Sequence, residues 1–422
     1  MNGLHLIGDL GGCRCDPQLL LDGAGFKSRC LEFVRESGLT TMDATFHQFE
    51  GSGFTGTVVL AESHLAIHTW PERQGLTLDV YVCNYSDDNS AKARKLFDAI
   101  VAYFKPEEIA RHEVERGGHL LMEPLNDSTG FYIKATRQIG EWQTRYQRMQ
   151  IYDTPHYGKL FRLDGFNMTS EKEEFVYHEN LIHPALTAHP APKKVLIIGG
   201  GDGGSSEEAL KHPSVEQVTM CEIDEDVIKV AKEHFHAVHQ GAFDSPRLRV
   251  LVGDGMKFVR ETQERFDLIA LDLNDPMGPA EALYSVDFFQ QCRHALAPGG
   301  ALALHIGSPV ARPERVGELA QRLNGIFRIV RPYTMYIPLY GSQWAMAVCS
   351  DKLDPKAYTA DEIDRRIEQR KLHDLRFYNG ETHEGVFALP NFIRDLVIQA
   401  RVKQPARGRR LGVVRAAGAA SK

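Results

Sequence analysis

Apolar residues recur along the chain with two different periods. In the first part, short alternating runs indicate strands, and longer runs with apolar residues every three or four positions indicate helices. The predicted strands cover residues 40–49, 56–61, 67–70 and 76–83, and the predicted helices cover residues 26–37 and 91–104. This combination predicts an α+β domain over residues 1–117, with an antiparallel sheet and helices on one of its faces.

From residue 190 onward, buried strands alternate with helices. The predicted strands cover residues 194–198, 215–221, 248–252, 266–271 and 300–305. Strands separated by helices are typical of a parallel sheet, so residues 186–400 are predicted to form a doubly wound, Rossmann-like α/β domain. The mixed polar and aromatic stretch before it, residues 118–185, is predicted to be a small β domain.

Charge and length narrow the class of protein. The 422 residues are 43% hydrophobic and 25% charged, as in soluble proteins of several domains. The net charge is −7, and the seven Lys/Arg of residues 401–422 leave −14 for the rest. An acidic body favours cationic small molecules over nucleic acid, and the basic tail 401–422 is predicted to be disordered. Because we find neither a signal-peptide pattern nor an apolar run of about 20 residues, we expect a cytoplasmic protein without a membrane partner.

The cysteines indicate neither a disulfide framework nor a zinc site. The chain has seven, none in a Cys-x-x-Cys pair, and Cys13 and Cys15 have no second pair nearby. We therefore expect reduced thiols and no bound metal.

Glu62 and Ser63 form the first candidate for chemistry, because histidines follow Ser63 one and five residues later, at His64 and His68. A serine hydroxyl can attack the preceding carbonyl, convert the peptide bond into an ester and, after elimination, leave a pyruvoyl ketone. Such a ketone forms a Schiff base with a substrate amine and withdraws electrons, so no pyridoxal phosphate is needed. Taken alone, the tripeptide is more typical of an ordinary strand end with a surface hydroxyl.

A glycine loop follows the predicted strand 194–198. Residues 199–204 match Gly-x-Gly-x-x-Gly, which would suit a dinucleotide oxidoreductase, but Asp202 in the loop opposes an anionic pyrophosphate. Further carboxylates follow successive strands, where open α/β sheets bind ligands: Glu222, Asp224, Asp254, Asp272 and Asp275. An acidic crevice suits a cationic nucleoside, with Glu222 on the ribose hydroxyls and Asp254 and Gly255 beside the adenine.

Asp272 and Asp275 are three residues apart. A nucleophilic amine must lose a proton before it attacks, and a diamine also needs an anion for its far end. A pair of carboxylates meets both needs.

Residues 120–400 resemble the spermidine synthases, which are polyamine aminopropyltransferases. The matching stretches are 146–147, 163–165, 174–179, 195–204, 222–224, 253–255, 272–279 and 388–391. The resemblance implies metal-free, in-line transfer of an aminopropyl group from decarboxylated S-adenosylmethionine to putrescine or a related diamine, with Asp272 as proton acceptor. The residues it implies for the nucleoside site are Gln147, Glu222, Asp254, Gly255 and Pro279, and those for the amine site are Tyr177, His178, Asp202 and Asp275.

Several positions depart from that family. Met168 stands where glutamine is usual, Glu207 where arginine is usual, and Leu273 and Asn274 where a small polar pair is usual. These positions lie near the expected amine pocket or nucleoside loop, so the acceptor diamine stays open.

Residues 1–115 resemble the short bacterial and archaeal S-adenosylmethionine decarboxylases, through stretches 45–49, 62–72 and 79–83. The resemblance implies cleavage between Glu62 and Ser63, with Ser63 becoming the pyruvoyl group. His68 would assist this processing, and Cys83 would donate a proton to carbon after decarboxylation.

The same resemblance places Phe49 on the adenine and Glu72 on the ribose. Since both families usually form symmetric oligomers, a homo-oligomer is expected.

The leading hypothesis is a bifunctional enzyme of spermidine synthesis that decarboxylates S-adenosylmethionine and then uses the product to aminopropylate putrescine. Two alternatives keep the transferase. In one, the first domain is a pyruvoyl-dependent ornithine or arginine decarboxylase. In the other, it is an unprocessed dimerisation or regulatory module.

Overall fold

The chain forms two compact units, which divide after His119. A computed structural model describes residues 3–84, 87–275 and 278–402. Each unit has a hydrophobic core of its own. Of the predicted basic tail, residues 403–422 lie outside the described residues. Within the described ranges, no helix is both long enough and apolar enough to cross a membrane.

The first unit is an antiparallel sheet with two helices. Its strands are β1 Gly3–Gly11, β2 Thr41–Gln48, β3 Phe54–Leu60, β4 Ser63–Trp70, β5 Gly75–Cys83 and β6 Glu108–Arg116, and its helices are α1 Gly23–Glu36 and α2 Ser90–Phe104. Short 3₁₀ turns cover Pro17–Leu20 and Pro71–Arg73. The strands lie in the order β2-β3-β4-β5-β1-β6, and every neighbouring pair is antiparallel.

Alternation along the strands decides which face of this sheet is covered. In β4, Leu65 and Ile67 are fully buried, whereas His64 and Ala66 are half-buried and His68 is exposed. The covered positions pack with buried residues of α1 and α2 in one core. The predicted α+β class, with helices on one face, is therefore confirmed.

The second unit begins with two small sheets. The first pairs β7 His119–Pro124 with β8 Gly130–Ala135. The second has the order β12-β11-β10-β9, with strands β9 Arg137–Gln143, β10 Arg148–Thr154, β11 Gly158–Leu163 and β12 Phe166–Ser170. These strands agree with the predicted small β region.

A seven-stranded sheet follows, in the order β15-β14-β13-β16-β17-β19-β18. Its strands are β13 Lys194–Gly199, β14 Gln217–Glu222, β15 Leu248–Val252, β16 Phe266–Asp272, β17 Leu296–Gly307, β18 Ile329–Ile337 and β19 Ser342–Ser350. The strands β13 to β17 pair in parallel, as predicted, while β18 and β19 extend the sheet antiparallel. The strand order reverses between β13 and β16, and open α/β sheets bind ligands at such a point.

Helices cover this sheet. They are α3 Phe175–Ala188, α4 Gly204–Leu210, α5 Glu225–His234, α6 His236–His239, α7 Gly255–Glu261, α8 Val286–Ala295, α9 Pro313–Asn324, α10 Ala360–Arg370, α11 Gly380–Val386 and α12 Asn391–Val402, with 3₁₀ turns at Ala242–Asp244, Gly278–Tyr284, Pro338–Tyr340 and Pro355–Ala357. In α3, every residue from Val176 to Ala188 is buried, as expected of an interior helix. Its first turn carries Tyr177 and His178 into the candidate site.

Candidate active sites

A cavity of about 450 Å³ opens at the carboxyl ends of β13, β14 and β16. Most of the residues predicted for the second unit line it: Gln147, Tyr177, His178, Asp202, Glu222, Asp254, Gly255 and Asp272. The sheet brings them together because the ends of parallel strands meet at one edge. Pro279 lies in the turn Gly278–Tyr284, but its side chain is outside the described residues.

Asp272 ends β16, the strand on one side of the order reversal. Its carbonyl oxygen accepts a hydrogen bond from the Gly200 amide at 3.0 Å, which ties the strand end to the glycine loop. Its Oδ2 atom is buried and meets no hydrogen-bond donor among the described residues. Burial, and then the charge of Asp202, raise the pKa of Asp272 to about 6. A carboxylate in this setting is suited to accept a proton.

His178 lies between two carboxylates. Its Nδ1 atom is 2.8 Å from Glu174 Oε2, and its Nε2 atom is 3.5 Å from Asp202 Oδ2. Burial by itself lowers the pKa of His178, but Asp202 and Glu174 outweigh it and hold the pKa well above its usual value. One ligand atom each from His178, Asp202 and Asp272 lies within 4.8 Å of the others, a donor set that could also hold a divalent cation.

The His178 ring can lie this close to the start of α4 because residue 204 is a glycine. A Cβ atom on Gly204, at the start of α4, would lie 2.3 Å from the His178 ring. The Gly204 amide also donates a hydrogen bond to Asp202 Oδ1 at 3.1 Å. The glycine loop therefore positions an imidazole and a carboxylate rather than a pyrophosphate.

The carboxylates predicted for the nucleoside site have partners close by in the structure. Glu222 is buried, and burial followed by the charges of Asp224 and Asp272 raises its pKa to about 7. Gln147 Nε2 donates to Asp224 Oδ2 at 3.0 Å. Asp224 caps α5, which makes it a structural anchor as well as an anion of the crevice.

Asp254, like Asp224, both caps a helix and contributes a carboxylate to the crevice. It lines the cavity, and its Oδ1 atom accepts hydrogen bonds from the amides of Met256 at 2.8 Å and Lys257 at 3.3 Å, so it caps α7.

A second cavity of about 140 Å³ shares Met168, Tyr177 and Leu273 with the first. Asp275, which the resemblance assigns to the amine site, lines this second cavity. Four other residues of its wall were not predicted from the sequence: Glu123, His305, Tyr340 and Trp344. They come from strands and turns distant in the chain, and no local motif marks them.

Glu123 supplies an unexpected anion to this second cavity. Its Oε2 atom accepts a hydrogen bond from the Asn167 amide at 2.7 Å. Burial raises the pKa of Glu123 to about 7. A cationic neighbour would therefore stabilise the ionised form of this carboxylate.

In the first unit, Glu62 and Ser63 lie at a tight hairpin. The strand β3 ends at Leu60 and β4 begins at Ser63, so Ala61 and Glu62 alone form the turn. Ser63 has φ 158°, at the edge of the positive region that side-chain-bearing residues rarely adopt. The bond predicted to be cut therefore lies at a strained position.

The carbonyl group of Glu62 is held from the neighbouring strand. The Cys83 amide donates a hydrogen bond to the Glu62 carbonyl oxygen at 2.8 Å. The Thr40 amide donates to Glu62 Oε2 at 3.1 Å, which fixes the side chain. This arrangement brings the main chain of Cys83 next to the peptide bond between Glu62 and Ser63.

Three predicted residues lie elsewhere in the unit. His68 is near the far end of β4, where its Nδ1 atom is 2.7 Å from Thr55 Oγ1. Phe49 follows the end of β2 that pairs with Phe54, and Glu72 lies in the turn after β4. In one chain, these residues are at the opposite end of β4 from Ser63.

Family comparisons match both units. Residues 4–117 match the family described as S-adenosylmethionine decarboxylase, and residues 174–361 match the spermine/spermidine synthase domain. The polyamine aminopropyltransferase of Nitrosomonas europaea is 46% identical over 277 residues, which cover 65% of this chain and 85% of the relative. Polyamine aminopropyltransferase 2 of Hyperthermus butylicus is 42% identical over 260 residues, which cover 61% and 85% of the two chains.

Solved structures give the same result. A spermidine synthase in complex with the transition state analogue AdoDATO has a TM-score of 0.62 at 35% identity, covering 67% of this chain and 95% of its own. The spermidine synthase of Thermotoga maritima has a TM-score of 0.60 at 34% identity, covering 66% and 94%. The chain therefore belongs to the polyamine aminopropyltransferase family, and it carries an S-adenosylmethionine decarboxylase domain in residues 4–117.

Proposed function

We propose that this chain carries out two consecutive steps of spermidine synthesis. The first unit decarboxylates S-adenosylmethionine, and the second transfers the aminopropyl group of the product to putrescine. The observation that carries the proposal is the buried Asp272 carboxylate, free on one oxygen, in an acidic cavity. Loss of the substrate carboxylate in the first reaction leaves a cation, which such a cavity favours.

In the transfer reaction, a neutral amine attacks the carbon beside the sulfonium sulfur, and methylthioadenosine leaves as a neutral thioether. Asp272 takes the proton that the amine loses. Asp202, Asp275 and Glu123 supply negative charge for the ammonium groups, and Glu222 accepts hydrogen bonds from the ribose. Catalysis consists of positioning plus one base, because the leaving group is already activated by its charge.

The first unit would make its own pyruvoyl group from Ser63. The strained Ser63 backbone and the hydrogen bond from the Cys83 amide to the Glu62 carbonyl oxygen fit this origin, because both favour attack on that carbonyl. A pyruvoyl group supplies an electron sink for the loss of carbon dioxide from a bound amino acid. The Cys83 thiol would donate the proton that the product carbon needs, as the resemblance implies.

A second copy of the chain would complete this site. Phe49, His68 and Glu72, which the resemblance assigns to the same site as Ser63, lie at the other end of β4. Two copies whose sheets face each other in opposite directions would bring the two ends together. We therefore propose a homo-oligomer with shared decarboxylase sites.

The test combines intact-mass measurement with two assays. We expect the purified 47.4 kDa chain to yield fragments cut between Glu62 and Ser63, with a pyruvoyl mass on the larger one. We expect carbon dioxide from S-adenosylmethionine, and methylthioadenosine once putrescine is added. Release of carbon dioxide from ornithine or arginine, but not from S-adenosylmethionine, would show that the first unit is an ornithine or arginine decarboxylase. An uncut chain that still transfers would make the first unit a regulatory module.

A further inference from the structure

We propose that His64 is the general base that takes the proton from the Ser63 hydroxyl when the chain cuts itself. The proposal rests on the proposed self-processing and adds the residue that starts it. The family resemblance assigns self-processing to His68. We assign its first proton transfer, from the Ser63 hydroxyl, to His64 instead.

His64 is in direct contact with the nucleophile. Its Nδ1 atom is 3.2 Å from Ser63 Oγ, within hydrogen-bonding distance. The Cys83 amide holds the Glu62 carbonyl oxygen at 2.8 Å on the same peptide. A hydroxyl paired with an imidazole therefore neighbours a carbonyl group whose oxygen already accepts an amide hydrogen bond, which are the three groups that acyl transfer uses.

His68 has a different position. It lies five residues beyond Ser63 along β4, which corresponds to roughly 16 Å at about 3.3 Å per residue. Its Nδ1 atom is 2.7 Å from Thr55 Oγ1. Within one chain, His68 therefore cannot reach the Ser63 hydroxyl, and only the second copy in the proposed oligomer could bring a His68 to it.

The surroundings of His64 keep its ring neutral. It is half-buried, and burial, followed by the charges of His5 and Arg116, lowers its pKa, while Asp79 acts in the opposite direction. His5 Nε2 is itself 3.1 Å from Asp79 Oδ1.

Further titratable groups face His64 from the neighbouring strands. The Tyr81 ring is 5.7 Å from the His64 ring, measured between centroids. Asp43 lies two strands away, opposite Val59, which pairs with His64. The balance of these groups leaves an imidazole able to accept a proton near neutral pH.

The step is balanced within the chain. Ser63 Oγ gives its proton to His64 Nδ1 and bonds to the Glu62 carbonyl carbon, and the Cys83 amide stabilises the resulting oxyanion. The bond between that carbon and the Ser63 nitrogen then breaks, and the nitrogen takes the proton back from His64. An ester and a free amine replace the peptide bond, and His64 is again neutral.

The experiment follows self-cleavage of the full chain in the variants His64→Ala and His64→Gln. The control is His112→Ala, which removes an exposed histidine on β6. At neutral pH, hydroxylamine cuts an ester far faster than a peptide bond, so a fragment that ends at Glu62 reveals any chain that has completed the acyl shift. We expect both His64 variants to form the ester about 10²- to 10⁴-fold more slowly than the control and to resist hydroxylamine. Added imidazole should restore cleavage to His64→Ala, which a merely structural role would not allow.

Other results would overturn the assignment. One is cleavage of His64→Ala at the control rate. Another is an accumulated, hydroxylamine-sensitive ester in that variant, since His64 would then act only after the shift. A third is loss of ester formation in His68→Ala but not in His64→Ala. Failure of the wild-type chain to cut itself would instead contradict the proposed function, so the two failures are distinguishable.

Discussion

Arg315 donates a hydrogen bond from Nη1 to Asp275 Oδ2 at 2.7 Å, beside the cavity proposed for the acceptor amine. The resemblance implies that Asp275 binds that amine, so an incoming ammonium must share the carboxylate with a guanidinium. Both side chains are partly buried, which makes this competition stronger than on an open surface. Arg315 thus reduces the attraction of the pocket for cations.

Removing this competitor is expected to tighten acceptor binding. In Arg315→Met, the KM for putrescine should fall by about 5-fold, with a smaller change in kcat. Initial rates at varied putrescine measure both quantities. Arg328→Met is the matched control, since Arg328 is exposed and distant in the fold from this pair. An unchanged or higher KM in Arg315→Met would mean that the ion pair does not compete with the substrate.

Asp272→Asn should lower kcat of the transfer by about 10²- to 10⁴-fold, because an amide cannot accept the amine proton. In the wild type, the raised pKa of Asp272 predicts a pH dependence as well. The base is active when ionised, so kcat/KM should fall as the pH drops through about 6. A pH profile that keeps this limb in Asp272→Asn would assign it to another group.

Cys83→Ala should separate self-cleavage from decarboxylation. The hydrogen bond to the Glu62 carbonyl comes from the main-chain amide of Cys83, which alanine keeps. Cleavage should therefore proceed within a few-fold of the wild-type rate, whereas turnover of S-adenosylmethionine should fall by about 10²-fold or more for want of a proton donor. Mass spectrometry and carbon dioxide release follow the two processes in one sample. If cleavage stops as well, the thiol itself takes part in it.

Gly204→Ala should damage the predicted amine site without removing a charged group. The added Cβ would lie 2.3 Å from the His178 ring and push it from its place between Asp202 and Glu174. We expect transfer activity to fall by about 10-fold or more, a cost typical of small displacements in an active site. Gly385→Ala is the matched control, because a Cβ there meets nothing within 4 Å. Equal activity of the two variants would show that the His178 position does not matter.

The sequence predicted those elements whose pattern is local. The buried runs of β13, β14 and β16 stand out because both faces of a parallel strand are covered. The strand β6 was missed because its nine residues, Glu108–Arg116, are mostly charged, as an edge strand allows. The strand β1 was missed because Gly8 interrupts the apolar alternation of Leu4, Leu6 and Leu10 that marks a strand.

The residues of the candidate sites also fall into those that the sequence could predict and those that it could not. Carboxylates that end parallel strands, such as Glu222 and Asp272, could be grouped in advance because topology decides where they meet. Glu123 and Trp344 could not be predicted, since they reach the smaller cavity from β7 and the antiparallel β19. Residues close in sequence can also be far apart in one strand. His68 follows Ser63 by only five residues, but the extended chain of β4 separates the two side chains.

The position of β1 decides what a cut after Glu62 would leave behind. The piece before the cut holds β1, β2 and β3, and the piece after it holds β4, β5 and β6. Yet β1 lies between β5 and β6, and β3 is paired with β4. The two pieces are interlocked strand by strand, so separating them would break three hydrogen-bonded ladders at once. The two pieces would therefore stay folded together in solution after the cut, and they would separate only on a denaturing gel.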